Sequence, residues 1–267
     1  MASVGAGYLA HVGEDALELC REDACQPRIG QVALAPLDDA ARDVVALSRR
    51  VLEGFRRTAG REAARRALLA CAADEARAPE AVHRYMRLGF AEPGALRRRA
   101  TDARLLAVDD LARFVLGELE HTRQFVRFSH LKDDSWLAVF EPAANTVPLA
   151  AEHFARRMGP ERFCLVDPRH RTAAFHERSH AHCAVVRLDE GLARRLVERE
   201  AAELADDERS VRALWQRFYD RVSLPGREDY ERGYELQTKY VPQRLRTHMT
   251  EFRRTPETGA PPTQAVT

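Results

Sequence analysis

The apolar pattern of this chain changes period twice, and that change restricts the folds open to it. Through the first hundred or so residues apolar side chains recur at helical spacing: Val44, Leu47, Val51, Leu52 and Phe55 behind a cap at Asp38 or Asp39, with Gly60 closing the segment. Further helices are predicted over Glu62–Glu75, from Pro79 to Gly89 with Val82, Tyr85 and Met86 on one face, and over Val108–Thr122 with Leu111, Phe114, Val115 and Leu119 inward. A short helix at Gly13–Glu22 and a strand at Gln31–Leu34 are weaker expectations.

The middle reads differently. Phe125–Leu131 and Trp136–Glu141 are rich in aromatic and β-branched residues around a Lys132-Asp133-Asp134 turn. Pro148 then opens a helix that Gly159-Pro160 ends, and Phe163–Val166 with Thr172–His176 form a second hairpin around Asp167-Pro168-Arg169. Helices return at Leu188–Ala205, Asp207–Val222, Asp229–Thr238 and Pro242–Phe252. The expected fold is therefore α+β: mainly helical, with a small antiparallel β-β-α-β-β unit in the middle. Its regions are a helical residues 1–124, the β-β-α-β-β unit over 125–187, a helical 188–254, and a disordered tail over 255–267 that is nearly devoid of large apolar residues.

Composition narrows the function classes. With 45% hydrophobic and 31% charged residues and no apolar run of membrane-spanning length, the chain reads as soluble and cytoplasmic, with no membrane partner. Five scattered cysteines suit a reducing compartment, and the Cys20/Cys25 pair lacks the third nearby thiolate that a radical SAM cluster requires. A net charge of +1 argues against a bulk nucleic-acid binder. Lys132 and Lys239 are the only lysines, so 40 of the 42 basic residues are arginine, the better bidentate phosphate clamp.

Two motif-dense blocks hold the candidate chemistry. Strand alternation in the first hairpin puts Val126, Phe128 and His130 on one face and Arg127, Ser129 and Leu131 on the other, leaving Lys132 and Trp136 near the turn as a patch for a phosphate and a stacked base. Catalytic candidates are Ser129, His130, Asp133, Glu141 and His153, although no nucleophile elbow, Walker loop or dinucleotide fingerprint is present. In the second block, Tyr240–Phe252, a helix from Pro242 would turn Leu245, Met249 and Phe252 inward and leave Arg244 and Arg246 for phosphates, with His248 alongside. One composite site is expected, with Trp136 near the C-terminal helix. His170, His176, His180, His182 and Cys183, with Cys164 before them, lack paired ligand spacing, so no metal and no cofactor is assigned.

The residues Phe125, Val126, Arg127, Phe128, Ser129 and Leu131, then Trp136, Ala138, Phe140, Glu141 and Pro142, then His153 and Phe154, follow the pattern F-V-R-F-S-x-L, turn, W-x-A-x-F-E-P, proline helix, H-F. With Trp215, Phe218, Tyr219, Pro242, Arg244, His248, Glu251 and Phe252, this resembles an uncharacterised bacterial family assigned to DNA metabolism or DNA repair, over roughly residues 40–253. Asp134 stands where that family's turn has glycine. The resemblance implies a DNA-binding accessory protein that works with a radical SAM protein and is associated with uracil-DNA glycosylase-like proteins; it supplies no catalytic residue. A lesion hydrolase or nuclease using the first hairpin, and a protein–protein adaptor that makes no nucleic-acid contact, are the alternatives.

Overall fold

The structure, a computed structural model, describes residues 3–5, 17–19, 26, 31, 42–98, 101–221 and 239–253. The expected elements at Gly13–Glu22, Gln31–Leu34 and Asp229–Thr238, the Asp38/Asp39 cap and the tail lie wholly or mostly outside those residues. The chain divides into two compact units, residues 1–117 and 118–267.

In the first unit α1 (Arg42–Ala59), α2 (Arg61–Cys71), α3 (Ala78–Ala91) and α4 (Ala95–Arg98) follow the helical periodicity. Gly60, at φ 96, both ends α1 and caps α2, a left-handed corner that glycine adopts without strain. Phe55 is completely buried, with ring centroids 5.8 Å from Tyr85 and 5.3 Å from Phe90. Gly89, expected to stop its helix, instead lies within α3. A Cβ there would sit 2.4 Å from Phe55 Cε2, so the glycine allows close packing and the helix continues to Ala91.

Helix α5 (Ala103–Phe125) leads into the second unit, whose centre is a five-stranded sheet in the order β1-β2-β3-β4-β5. The strands are β1 (Ser129–His130), β2 (Trp136–Val139), β3 (Phe163–Asp167), β4 (Thr172–His176) and β5 (Ala184–Arg187). Both expected hairpins share this sheet, and the α+β class holds, but the sheet is mixed rather than antiparallel. Helix α6 (Val147–Met158) returns the chain to the starting end, so β2 and β3 run parallel, while the other three pairs are antiparallel. The first strand is also shorter than expected, because Phe125 still belongs to α5 and only Ser129 and His130 pair with β2.

Helices cover the sheet on both faces. Leu131, Leu137, Val166 and Ala173 form one buried cluster with Leu188 and Ala193 of the segment entering and forming α7 (Glu190–Ala202). On the opposite face Phe128 joins Phe154 of α6 to Phe163 of β3, edge to face at 5.3 Å each. Helix α8 (Asp206–Arg221) and a single turn α9 (Gln243–Arg246) complete the described unit. No described helix is long and apolar enough to cross a membrane.

Candidate functional site

The first hairpin closes through Leu131 N donating to Ser135 O at 2.8 Å and Asp134 N to Leu131 O at 3.0 Å. Asp134 takes φ 60 there, a left-handed conformation that aspartate tolerates better than most residues, which is how this turn dispenses with glycine. Asp133 caps the turn: its Oδ1 accepts from Ser135 Oγ at 2.5 Å, and its Oδ2 accepts from Arg199 at 2.7 Å and Arg162 at 3.1 Å. Burial would raise the Asp133 pKa, but the Ser135 and Arg199 hydrogen bonds with the nearby guanidinium charges outweigh it and hold the carboxyl at about 2. An acid held this firmly in its ionised form, with both oxygens occupied, is poorly suited to proton transfer near neutral pH.

Beside this turn His130 stacks on Trp136, centroids 4.7 Å apart and planes 26° from parallel. The same row continues across the sheet through Phe163, the register partner of Trp136, to His176, which stacks on Phe163 at 5.2 Å. Trp136 Nε1 donates to Glu161 at 3.3 Å. His130 lies between two carboxylates, Nε2 at 3.2 Å from Asp134 and Nδ1 at 3.4 Å from Asp207. Partial burial lowers its pKa, yet the hydrogen bonds to Asp134 and Asp207 prevail and raise it above the ordinary imidazole value. Lys132 is exposed, and its ammonium has no acidic partner among the described residues, whereas Arg162, Arg178 and Arg199 are all paired with acids around the turn. The rim therefore offers half-buried aromatic rings, a histidine biased towards its cationic form and one unpaired ammonium.

The other candidates lie elsewhere. Ser129, 1% exposed, donates to Glu200 at 2.8 Å and accepts from Arg212. Glu141 is exposed beyond the far end of β2, and His153 is on α6. The five catalytic candidates thus do not converge. The C-terminal block meets Phe140 rather than Trp136: His248 packs on Phe140 with centroids 5.9 Å apart, roughly four residues or about 13 Å along the strand direction from Trp136. The expected helix to Phe252 is also only one turn long. Beyond Arg246 the backbone carbonyls find side-chain partners, Thr247 O accepting from Arg253 at 2.7 Å and Thr250 O from Gln216 at 3.0 Å.

Sequence reasoning missed the glutamates that hold this block. Glu118, 4% exposed, accepts from Arg244, from Ala143 N at 2.6 Å, and contacts His121 at 3.2 Å. Burial raises its pKa, but the Arg244 and Ala143 hydrogen bonds more than compensate and hold it below the usual range. Glu200, 6% exposed, receives Arg253 through both oxygens at 2.9 and 3.0 Å. Arg246 donates to Val241 O at 3.1 Å. A signal existed: Glu118 follows Leu111 and Val115 by seven and three residues, and Glu200 follows Ala193 and Leu196 by seven and four, which places each acid on a buried helical stripe.

The histidine-rich segment is used piecemeal. His170 Nδ1 is 2.5 Å from the buried Asp167, His176 lies between the carbonyls of Glu161 and His180, and His182 is 3.2 Å from Glu152. Burial pushes the thiols of Cys164 and Cys183 up to about 12 and about 11, far from thiolate reactivity.

No curated protein and no solved structure matches the chain. Residues 76–251, which hold α3 through the C-terminal block, match one family profile, and the chain belongs to that family, DUF4130, a domain of unknown function.

Proposed function

We propose that this protein is a DNA-binding accessory factor of DNA repair or DNA metabolism that works beside a radical SAM enzyme, with the first-hairpin rim as the surface that receives a base. The observation that carries the reading is the His130–Trp136 stack, half-buried at one end of the sheet, next to Lys132, which has no acidic partner among the described residues. Aromatic faces at a strand end accept any nucleobase by stacking, and a neighbouring cation adds attraction for the backbone. The arginines of the turn contribute little free charge, since Asp133 and Asp134 already engage them. Affinity at this rim should thus depend mainly on stacking. The partner reading rests on the resemblance of the two motif blocks, and uracil-DNA glycosylase-like proteins are further candidates for the same assembly.

Fluorescence anisotropy with a labelled single-stranded oligonucleotide tests the reading. Trp136→Ala should weaken binding by about 1–3 kcal/mol with the salt slope unchanged. If the wild-type chain shows no salt-dependent binding to single- or double-stranded DNA, alone or with the radical SAM partner, an adaptor role replaces this one.

A further inference from the structure

The two edges of the sheet are finished differently. The outer edge of β1 is closed by the segment joining α7 to α8: Lys132 N donates to Glu203 O and Ala205 N to His130 O, each at 3.0 Å, with a bridge between Leu131 and Leu204. At the opposite edge stands β5, and all four of its residues are exposed, Val185 by 42% and Val186 by 38%. Open strand edges invite another strand, and proteins blunt them with lysine, proline, bulges or a covering element. Strand β5 pairs with β4 in unbroken register and contains neither lysine nor proline. Among the described residues, no backbone hydrogen bond reaches its outer side.

The hydrogen bonds to β4 fix which backbone groups point outward. Leu188 N donates to Arg171 O at 2.8 Å, which makes Leu188–Arg171 a hydrogen-bonded pair of this antiparallel ladder. Alternation makes Val186–Ala173 and Ala184–Phe175 the next such pairs, and it turns the N–H and C=O of Val185 and Arg187 away from the sheet. The next outward donor, Cys183 N, is occupied by Glu152 Oε1 at 3.3 Å, and at the other end Asp189 caps α7. The open edge therefore consists of Val185 and Arg187. It is symmetric about Val186, and so are its two stops, Cys183 and Asp189.

A strand symmetric about its own centre is complementary to an inverted copy of itself. With Val186 on a twofold axis, Val185 of one copy and Arg187 of the other exchange both N–H···O bonds, and the axis generates the same pair again. The two Val186 side chains meet as a central apolar pair. The flanks fit as well. His180 and His182 precede the strand while Asp189 and Glu190 follow it, so inversion sets the histidines of each copy beside the acids of the other. A strand from an unrelated protein would gain backbone bonds without this twofold match.

We propose that the protein self-associates through β5, antiparallel and with Val186 of one copy against Val186 of a second, joining two five-stranded sheets into one. Because β1 lies at the far edge, the pairing leaves both His130–Trp136 rims uncovered, one at each end of the combined sheet.

Sedimentation of the full-length protein over a range of concentrations should show a reversible monomer–dimer equilibrium. Val186→Lys and Val186→Glu each set like charges across the axis and should raise the dimer dissociation constant by about tenfold or more. An equimolar mixture of the two variants should restore the dimer, because lysine then faces glutamate. In hydrogen exchange on the wild-type chain, the amides of Val185 and Arg187 should gain protection with concentration, whereas Val186, bonded to Ala173 in either state, should not. A wild-type chain that stays monomeric overturns the proposal and leaves this edge to a strand of another protein. A dimer that both variants retain overturns it by placing the interface elsewhere, and variants that stay monomeric when mixed overturn the Val186 axis. If the variants do not fold, exchange decides alone: rates at Val185 and Arg187 that ignore concentration overturn the pairing.

Discussion

The arginines of the C-terminal block and those of α6 are the same residue type in opposite circumstances. Arg244 and Arg253 each reach a glutamate that is almost fully buried, Glu118 and Glu200 respectively, so their charge is consumed inside the protein. Arg156 and Arg157 form no ion pair within contact distance among the described residues, the Glu152 charge near Arg156 acting only at longer range, and both stand in solvent. Arginine abundance alone therefore says nothing about where a polyanion would dock. The partner decides: a guanidinium set against a buried carboxylate ties one element to another, while one without a partner keeps its attraction for an outside ligand.

The largest test of this contrast is Arg244→Ala. It strands Glu118 with only Ala143 N and His121, and breaking a buried pair in this way should cost about 3 kcal/mol of unfolding free energy, measured by urea denaturation. An unchanged midpoint and slope would mean that the pair is dispensable and that Arg244 is available to DNA after all. Arg253→Ala should cost less, about 1.5 kcal/mol, because Glu200 retains Ser129 and Arg212; a larger loss than for Arg244→Ala would invert the ranking of the two staples.

Acidification probes the paired carboxylates without mutation. Glu118 and Asp133 both have depressed pKa values, so their stabilising contribution is complete above the unfolded carboxylate pKa and disappears as pH falls through the folded value. Thermal unfolding temperature should decline from about pH 4 towards pH 2, the latter being where Asp133 titrates. In Arg199→Ala the portion due to Asp133 should move to higher pH. The smallest effect belongs to the other region: Arg156→Ala/Arg157→Ala should change unfolding free energy by no more than about 0.5 kcal/mol. A loss several times larger would show that those side chains are structural, and the contrast would collapse.

Much of the second unit was legible because local chemistry and final structure agree. Pro148 sits in the first turn of α6 and Gly159, at φ 63, closes it; the hairpin of β3 and β4 follows the alternation of its residues. What escaped has identifiable causes. Strand β5 is exposed along its length, so it carries none of the alternation by which a half-buried strand announces itself. The parallel β2–β3 pair was implicit in the helix lying between two adjacent strands, a connection that returns the chain to the same end of the sheet. At the candidate site, the aromatic and charged residues of the hairpin turn were identifiable from composition. Their pairing was not, since Arg162, Arg178 and Arg199 come from other segments of the chain. The C-terminal block misled for the same reason: Arg244 reads as a surface cation until Glu118, 126 residues away in sequence, is placed beside it.

The stacked His130–Trp136 pair also makes the protein its own optical probe. Trp136 is one of two tryptophans, the other being Trp215 on α8, and an imidazolium lying flat against an indole quenches its emission far more effectively than a neutral imidazole does. Because His130 keeps its proton to higher pH than an ordinary histidine, Trp136 should be dim in acid and brighten as pH rises, with the change displaced upward from that of an ordinary histidine. In Trp215→Phe, where Trp136 is the sole emitter, that rise in intensity would read out the charge of the rim directly, with no label attached.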